Sequence, residues 1–202
     1  MKLFPDISFV VDNNLCFSCG ACNIVCHPNS ISFHLTPAGR LHPKIDYGTC
    51  THCGVCYAVC PGYDTNNRVL ENVSSNPFEG NVLKSFFGRT LNEKIFKNSQ
   101  SGGLATEVLL YLFEQKLITH ALVVKSDFSA NSRPSYILAN DINEIYYSQK
   151  SKYTPIDLLS TLQNIKEIEG DIAVVGLPCH IEGVVSLLIQ NPRRYKKNIN
   201  LD

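Results

Sequence analysis

Nine cysteines are the residues of this chain best suited to chemistry, and eight of them fall between positions 16 and 60. They form two runs: CFSCGACNIVCHP, with Cys16, Cys19, Cys22 and Cys26, and CTHCGVCYAVCPG, with Cys50, Cys53, Cys56 and Cys60. Both are spaced C-x2-C-x2-C-x3-C. Three thiolates at three-residue intervals can wrap one face of a cubane cluster, while the set-back fourth is aimed away from it. In the bacterial two-cluster arrangement that fourth cysteine ligates the other cluster. The spacing therefore assigns one 4Fe-4S cluster to Cys16, Cys19, Cys22 and Cys60, and a second to Cys50, Cys53, Cys56 and Cys26. Zinc is the competing occupant. Structural zinc sites use cysteine pairs split by a longer spacer, which two tandem triplets with a trailing cysteine do not reproduce. Gly20 and Gly54 follow the second cysteine of each run, where a tight turn calls for a residue free to take positive φ. His27 separates Cys26 from Pro28, where the usual run has proline directly. It alters the turn and removes no ligand, and both His27 and His52 read as bystanders.

The rest of the chain must hold these thiolates and give their electrons somewhere to go. At 202 residues, 44% hydrophobic and 18% charged, it can bury a core in one ordinary domain plus a small one. Its formal net charge of zero supplies no field for nucleic acid or an anionic membrane, and the run RRYKK (Arg193 to Lys197) reads as a solvated helix end. The first residues do not form a signal peptide, and no apolar run reaches the roughly 20 residues of a membrane span. A cytoplasmic chain follows as the expectation. In that reducing compartment clustered cysteines are metal ligands or redox groups more often than disulfides.

Two halves with different patterning are visible. Residues 1–64 are short-stranded and loop-rich. Asp64 to Asn81 is polar and turn-rich, so 65–100 reads as a linker leading into a second unit, 101–202. In that unit the pattern predicts a largely buried helix over Gly102–Lys116, strands over Thr119–Ser126, Ser135–Asn140 and Asp171–Leu177, and helices over Pro155–Glu169 and His180–Asn191. The expected fold is an α+β ferredoxin-like dicluster module followed by an α/β domain with a mixed, partly parallel sheet.

Three further stretches could carry chemistry. SQSGGLATE puts a Ser/Gly loop at a helix N-terminus, where free N–H groups and the helix dipole favour an anion. The same residues serve equally as a capping turn with Ser101 as the N-cap. SKYTP precedes another helix. VVGLPCH ends a strand and places Cys179 at a helix start, a position that favours thiolate, although a lone cysteine is by default a buried, inert thiol. No acid–base pair stands out as catalytic.

The order of these features resembles the coenzyme F-420 hydrogenase/dehydrogenase beta-subunit family: a tandem ferredoxin motif, then S-x-S-G-G, then S-K-Y, then a strand ending G-x-P-C. The resemblance covers most of the chain. It implies an iron–sulfur flavoprotein oxidoreductase that passes single electrons through its clusters and electron pairs between FAD and a redox partner protein or small redox cofactor, such as a deazaflavin. Carried onto this sequence, it implies that Ser99, Ser101, Gly102, Gly103 and Thr106 lie against FAD. Ser151, Lys152 and Tyr153 would form a second flavin-side loop, with Lys152 near phosphate. Cys179 would ligate a third 4Fe-4S cluster. Chains of the family continue past this point with further cysteines, so the resemblance also implies a chain truncated at its C-terminus, with an incomplete flavin-binding-type domain. The alternative from another class is a ferredoxin-like electron carrier whose second half is a remnant or docking domain.

Overall fold

The computed structural model describes residues 5–63, 82, 84–126, 134–157, 162 and 168–190. The first half opens with α1 (Ile7–Asp12), a helix too short to announce itself by hydrophobic period. Asp6 caps it by accepting the Ser8 N–H at 2.9 Å, and Ile7 and Val10 are its buried face. Two single-turn helices, α2 (Ala21–Ile24) and α3 (Val55–Ala58), occupy equivalent places in the two cysteine runs. Each follows a glycine in the left-handed region, Gly20 at φ +89° and Gly54 at φ +73°. Ser18 and His52, two residues before those glycines, are left-handed as well. The sequence repeat is thus also a backbone repeat. Between the runs lies an antiparallel hairpin, β1 (Ile31–Leu35) and β2 (Leu41–Ile45), with Ile31 opposite Ile45 and Leu35 opposite Leu41.

The second half contains α4 (Glu93–Asn98), α5 (Leu104–Glu114), β3 (His120–Lys125), β4 (Ser135–Ala139), α6 (Ile142–Tyr147), β5 (Ile172–Val174) and α7 (Pro178–Gln190). Its sheet runs β4-β3-β5. β3 pairs antiparallel with β4, Val123 opposite Ile137, and parallel with β5, Leu122 opposite Val174. The sheet is therefore mixed, as the sequence predicts.

β3 is buried on both faces, and its period of two divides the core. Ala121 and Val123 pack with Ala139 against Ile95 of α4, Leu109 and Leu110 of α5 and Ile145 of α6. Leu122 faces the other way. It joins Val184, Leu187 and Leu188 of α7 in a cluster that also holds Cys19, Ala21, Ile24, Val25 and Val59 of the cysteine-rich half. The two halves thus share one buried seam, with α2 packed on α7.

Several expectations need correction. α5 is not buried most of the way round. Leu109 and Leu110 are buried, whereas Leu104, Val108 and Tyr111 are exposed, because only one side of the helix meets the sheet. The last strand is shorter than Asp171–Leu177, since the chain leaves the sheet after Val175 donates to the Leu122 carbonyl at 3.1 Å. α7 begins at Pro178, where a proline without an N–H suits the first helical turn. Pro155–Asp157, the start of the helix expected over Pro155–Glu169, is not helical, and most of that segment lies outside the described residues. The linker Asp64–Asn81 and the basic run Arg193–Lys197 also lie outside them. Among the described residues no helix is long and apolar enough to cross a membrane.

Candidate functional site

The two cysteine runs are folded by the same local device. The loop before each single-turn helix curls back so that a backbone N–H points at the first sulfur: Ser18 N–H donates to Cys16 Sγ and His52 N–H to Cys50 Sγ, both at 3.4 Å. Ser30 N–H donates to Cys26 Sγ at 3.2 Å, and the Ile7 N–H at the start of α1 donates to Cys56. Such bonds favour the charged thiolate over the thiol.

Burial works against them. It pushes the Cys19 thiol up to about 12, reinforced by Cys60, Cys179 and Cys16 and opposed by the Ala21 N–H. It raises Cys56 to about 11 and Cys22 well above its ordinary value. Thiols so placed keep their protons until a cationic core replaces them, because a coordinated thiol is deprotonated outright. The donor set, all sulfur with N–H groups aimed at it, fits iron–sulfur clusters. Among the described residues no three His, Cys, Asp or Glu side chains converge on the spacing of a single metal ion.

The neighbourhoods are crossed between the runs. Cys22 feels Cys19, Cys60, Cys16 and Cys56, so Cys60 of the second run stands among the first three cysteines of the first. Cys56 feels Cys53 and the carboxylate of Asp6. The two sets also differ in depth. Cys19, Cys22 and Cys60 are buried and Cys16 is half-buried, whereas Cys26, Cys50 and Cys56 are half-buried and Cys53 is exposed.

The Ser/Gly loop and the S-K-Y loop are brought together by side chains that no motif singles out. Gln100 Oε1 accepts the Ser151 N–H at 2.6 Å, across 51 positions of sequence. Asn98 Nδ2 donates to Gln149 Oε1 at 2.7 Å, and Gln149 Nε2 donates to the Ile95 carbonyl at 3.3 Å. Single amides carry no periodicity or spacing that could mark them in the sequence. Arg89 carries no such mark either. Its guanidinium sits 4.2 Å over the Phe96 ring, beside the same loop.

Ser101 is not the N-cap of α5. That place belongs to Gly103 at φ +74°, with no side-chain cap. The glycines answer to their own packing: a Cβ on Gly103 would lie 2.8 Å from Thr90 Cγ2 and 2.9 Å from Ile95 Cγ2, and one on Gly102 would lie 2.9 Å from the Gly88 carbonyl oxygen. Ser99 Oγ donates within the loop, to the carbonyls of Phe96 at 2.9 Å and Ser101 at 2.6 Å. Ser101 is exposed and Thr106 half-buried, and the Tyr153 side chain is 91% exposed. Lys152 Nζ is held by the carbonyls of Ser148, Gln149 and Lys150 at the end of α6. Burial, and then Lys150, lower its pKa.

Cys179 lies in the first turn of α7, just beyond β5. Burial raises its thiol despite two backbone N–H groups that lower it, so the helix start does not make it the thiolate its position suggests. Its neighbours include Cys19 and Tyr136. The adjacent His180 is buried, and its Nδ1 accepts the Leu177 N–H at 3.0 Å.

Comparison with known proteins places both halves. Residues 85–163 match the family model "Coenzyme F420 hydrogenase/dehydrogenase, beta subunit N-term". Residues 15–63 and 42–95 match two models of a 4Fe-4S dicluster domain. The chain is 30% identical over 179 residues to a coenzyme F420-dependent sulfite reductase of Methanocaldococcus jannaschii, covering 88% of this chain and 26% of that one. An uncharacterized protein of the same organism is 31% identical, with 93% of this chain and 57% of the relative covered. A subunit of the F(420)H(2) dehydrogenase of Methanosarcina mazei is 26% identical, covering 87% and 49%. The chain thus spans 57% or less of the length of each of these three relatives.

Proposed function

The chain belongs to the coenzyme F420 hydrogenase/dehydrogenase beta-subunit family and carries a 4Fe-4S dicluster domain, and from that premise we propose that it is an iron–sulfur flavoprotein oxidoreductase subunit. The observation that carries the reading is the seam. Cys19, a cluster ligand by its spacing, is buried in one apolar cluster with Leu122 of the central strand and Val184, Leu187 and Leu188 of α7. A cysteine-rich wire packed into a second domain is suited to exchanging electrons with whatever that domain holds.

FAD is the group we assign there. Bound FAD supplies interconversion between electron pairs and single electrons. Ser101, Gly102, Thr106 and Tyr153 present the reachable surface of the two loops. Gln100 holds the loops together through Ser151 N–H, and Gly103 turns the chain so that α5 begins beside them. Ser99 keeps the first loop's shape. Lys152 stiffens the second by tying down three carbonyls, and it would reach a phosphate only by leaving them. The buried sides of Cys19, Cys22 and Cys60 exclude water from one cluster. The partner for electron pairs is a small redox cofactor of the deazaflavin kind, as the names of two relatives suggest.

A second reading, a ferredoxin-like carrier with a docking domain, is favoured by the self-contained hydrogen bonding of Ser99 and Lys152. Iron, zinc and flavin per chain, measured after anaerobic purification, separate the two. About eight iron with bound flavin is the expected result. The same iron without flavin supports the carrier, and zinc without iron ends both.

A further inference from the structure

Two histidines that neither cluster uses face each other on the hairpin between the cysteine runs. We propose that His34 of β1 and His42 of β2 form a two-imidazole chelate on the outer face of that hairpin, for a divalent first-row metal ion of the Zn2+, Ni2+ or Cu2+ class. The chelate holds a single ion per chain, separate from the iron of the clusters, and water fills the ion's remaining positions. The site stands apart from the flavoprotein reading and does not depend on it.

Alternation sorts the hairpin into two faces. Ile31, Phe33 and Ile45 pack with Ile7 and Val10 of α1, and Pro43 is buried on the same side. On the other side Ser32, His34 and Lys44 are exposed and His42 is half-buried. The register sets His34 directly opposite His42. The ends of the ladder fix its phase. Asp46 N–H donates to the Ser30 carbonyl at 2.8 Å and Thr36 N–H to the Arg40 carbonyl at 2.7 Å, and bonded pairs recur every second residue. His34–His42 is therefore a bonded pair, while Pro43, with no N–H to give, falls in a non-bonded one opposite Phe33. Cβ atoms paired in this way are about 5 Å apart. Rings leaning together from there can bring two nitrogens to the roughly 3 Å separation that suits a metal bound at about 2.0–2.1 Å from each.

The surroundings leave the pair available. Among the described residues neither ring is held by a hydrogen bond. The rings are within electrostatic reach of each other: burial first, then Arg40 and His34, lower the pKa of His42. Two cations share the face. Arg40 is turned aside, its Nη1 donating to Asn14 Oδ1 at 3.2 Å, and Lys44 is exposed to solvent and salt, which screen it. Both weaken the pull on a metal cation, so the site needs its two nitrogens to act together. The carboxylate at the far end, Asp46, is engaged in its own turn, accepting from Gly48 N–H at 2.9 Å and from the Thr49 hydroxyl at 3.3 Å. Imidazole donors suit Zn2+, Ni2+ and Cu2+ and not Mg2+ or Ca2+. An ion held here ties β1 to β2. Ser18 Oγ, donating to the Leu41 carbonyl at 2.6 Å, ties β2 in turn to the loop of Cys16 and Cys19.

The test uses the full chain with its clusters loaded, kept anaerobic and titrated with Ni2+, which, unlike Cu2+, does not oxidise thiolates. Calorimetry should show a single Ni2+ bound per chain. The ion should also raise the thermal unfolding midpoint, because only the folded hairpin offers both rings at once. Threonine suits a strand and cannot chelate, so His34→Thr and His42→Thr are made singly and together, with iron per chain measured to show that the clusters are kept. A chelate needs both rings. Either single variant should therefore lose the bound Ni2+ and the rise in midpoint as fully as the double variant does. Failure of the unaltered protein to bind Ni2+, or undiminished binding by the double variant, overturns the proposal. So do single variants that each keep about half of the effect, since additive losses mark two independent imidazoles and not one site.

Discussion

The cysteine-rich half and the α/β half build their sites by opposite means. In the first, two copies of one short run bring their own turns, single-turn helices and sulfur-directed N–H groups two residues beyond the first sulfur, and the long-range share is the crossing of Cys60 into the first run and the Ile7 N–H on Cys56. In the second, the loops of interest meet only because Gln100 reaches Ser151 and Asn98 reaches Gln149 across 51 positions each. A site made locally tolerates changes elsewhere as long as its own residues stay. A site made by long-range contacts is only as well formed as the domain that supports it. Lesions in the two halves should therefore separate iron from flavin.

The largest effect is expected from Cys60→Ala. Cys60 stands among Cys16, Cys19 and Cys22, so its loss should remove the cluster of the first run and leave the one at Cys50, Cys53 and Cys56. Iron per chain should fall by about half, with one reduced-cluster signal surviving in electron paramagnetic resonance. Survival of the first-run cluster, with loss of the other, would show that each run closes its own site and that the pairing is not crossed.

Next comes the seam. Leu122 is fully buried on β3 between the halves. Leu122→Ala should cost about 3 kcal/mol by removing buried surface and leaving a cavity, read as a lower urea midpoint. Iron in the protein that remains folded should not change, since the turns and single-turn helices that carry the sulfurs belong to the cysteine-rich half and not to β3. If iron is lost in proportion to stability, the cluster half is not locally built, and the contrast drawn above fails.

What can be read from the sequence divides along the same line. The cysteine spacing points to the cluster ligands because coordination imposes short, regular intervals on the chain. Gly20 and Gly54 are legible because a left-handed turn leaves few residue choices. β3 and β4 are legible to within a residue at each end, their apolar runs being bounded by polar ones. α1, α4 and α6 are not. Each is six residues long, less than two turns, and helices that short show their capping residue (Asp6, Asn92, Asp141) more clearly than any hydrophobic period. The exposed side of α5 is hidden from the sequence because leucine and valine in a helix do not say which of them meets the sheet. The Gln100–Ser151 tie depends on where two loops end up, and that is a property of the assembled domain.

A smaller effect is expected at Gly103. Its left-handed φ of +74° and the closeness of Thr90 and Ile95 leave no comfortable place for a Cβ. Gly103→Ala should cost roughly 1–3 kcal/mol of local strain, distort the start of α5, and lower flavin retention while iron stays constant. Unchanged flavin retention with normal stability would mean that the Ser/Gly loop does not hold the flavin.

The smallest effect tests the comparison most closely. Gln100→Ala removes one hydrogen bond at an exposed loop, which is worth only about 1 kcal/mol or less to stability. The urea midpoint should therefore barely move. Yet this bond is what sets the spacing between the Ser/Gly loop and the S-K-Y loop, so flavin affinity should fall by more than the stability change accounts for, with both clusters intact. Gln100→Glu keeps the acceptor for the Ser151 N–H and should retain most of the spacing, while adding a negative charge that a phosphate-bearing cofactor would resist. Equal flavin affinity in the unaltered protein and in both of these variants would show that the two loops do not act as one site, and the local and long-range halves would no longer differ in the way their sites are made.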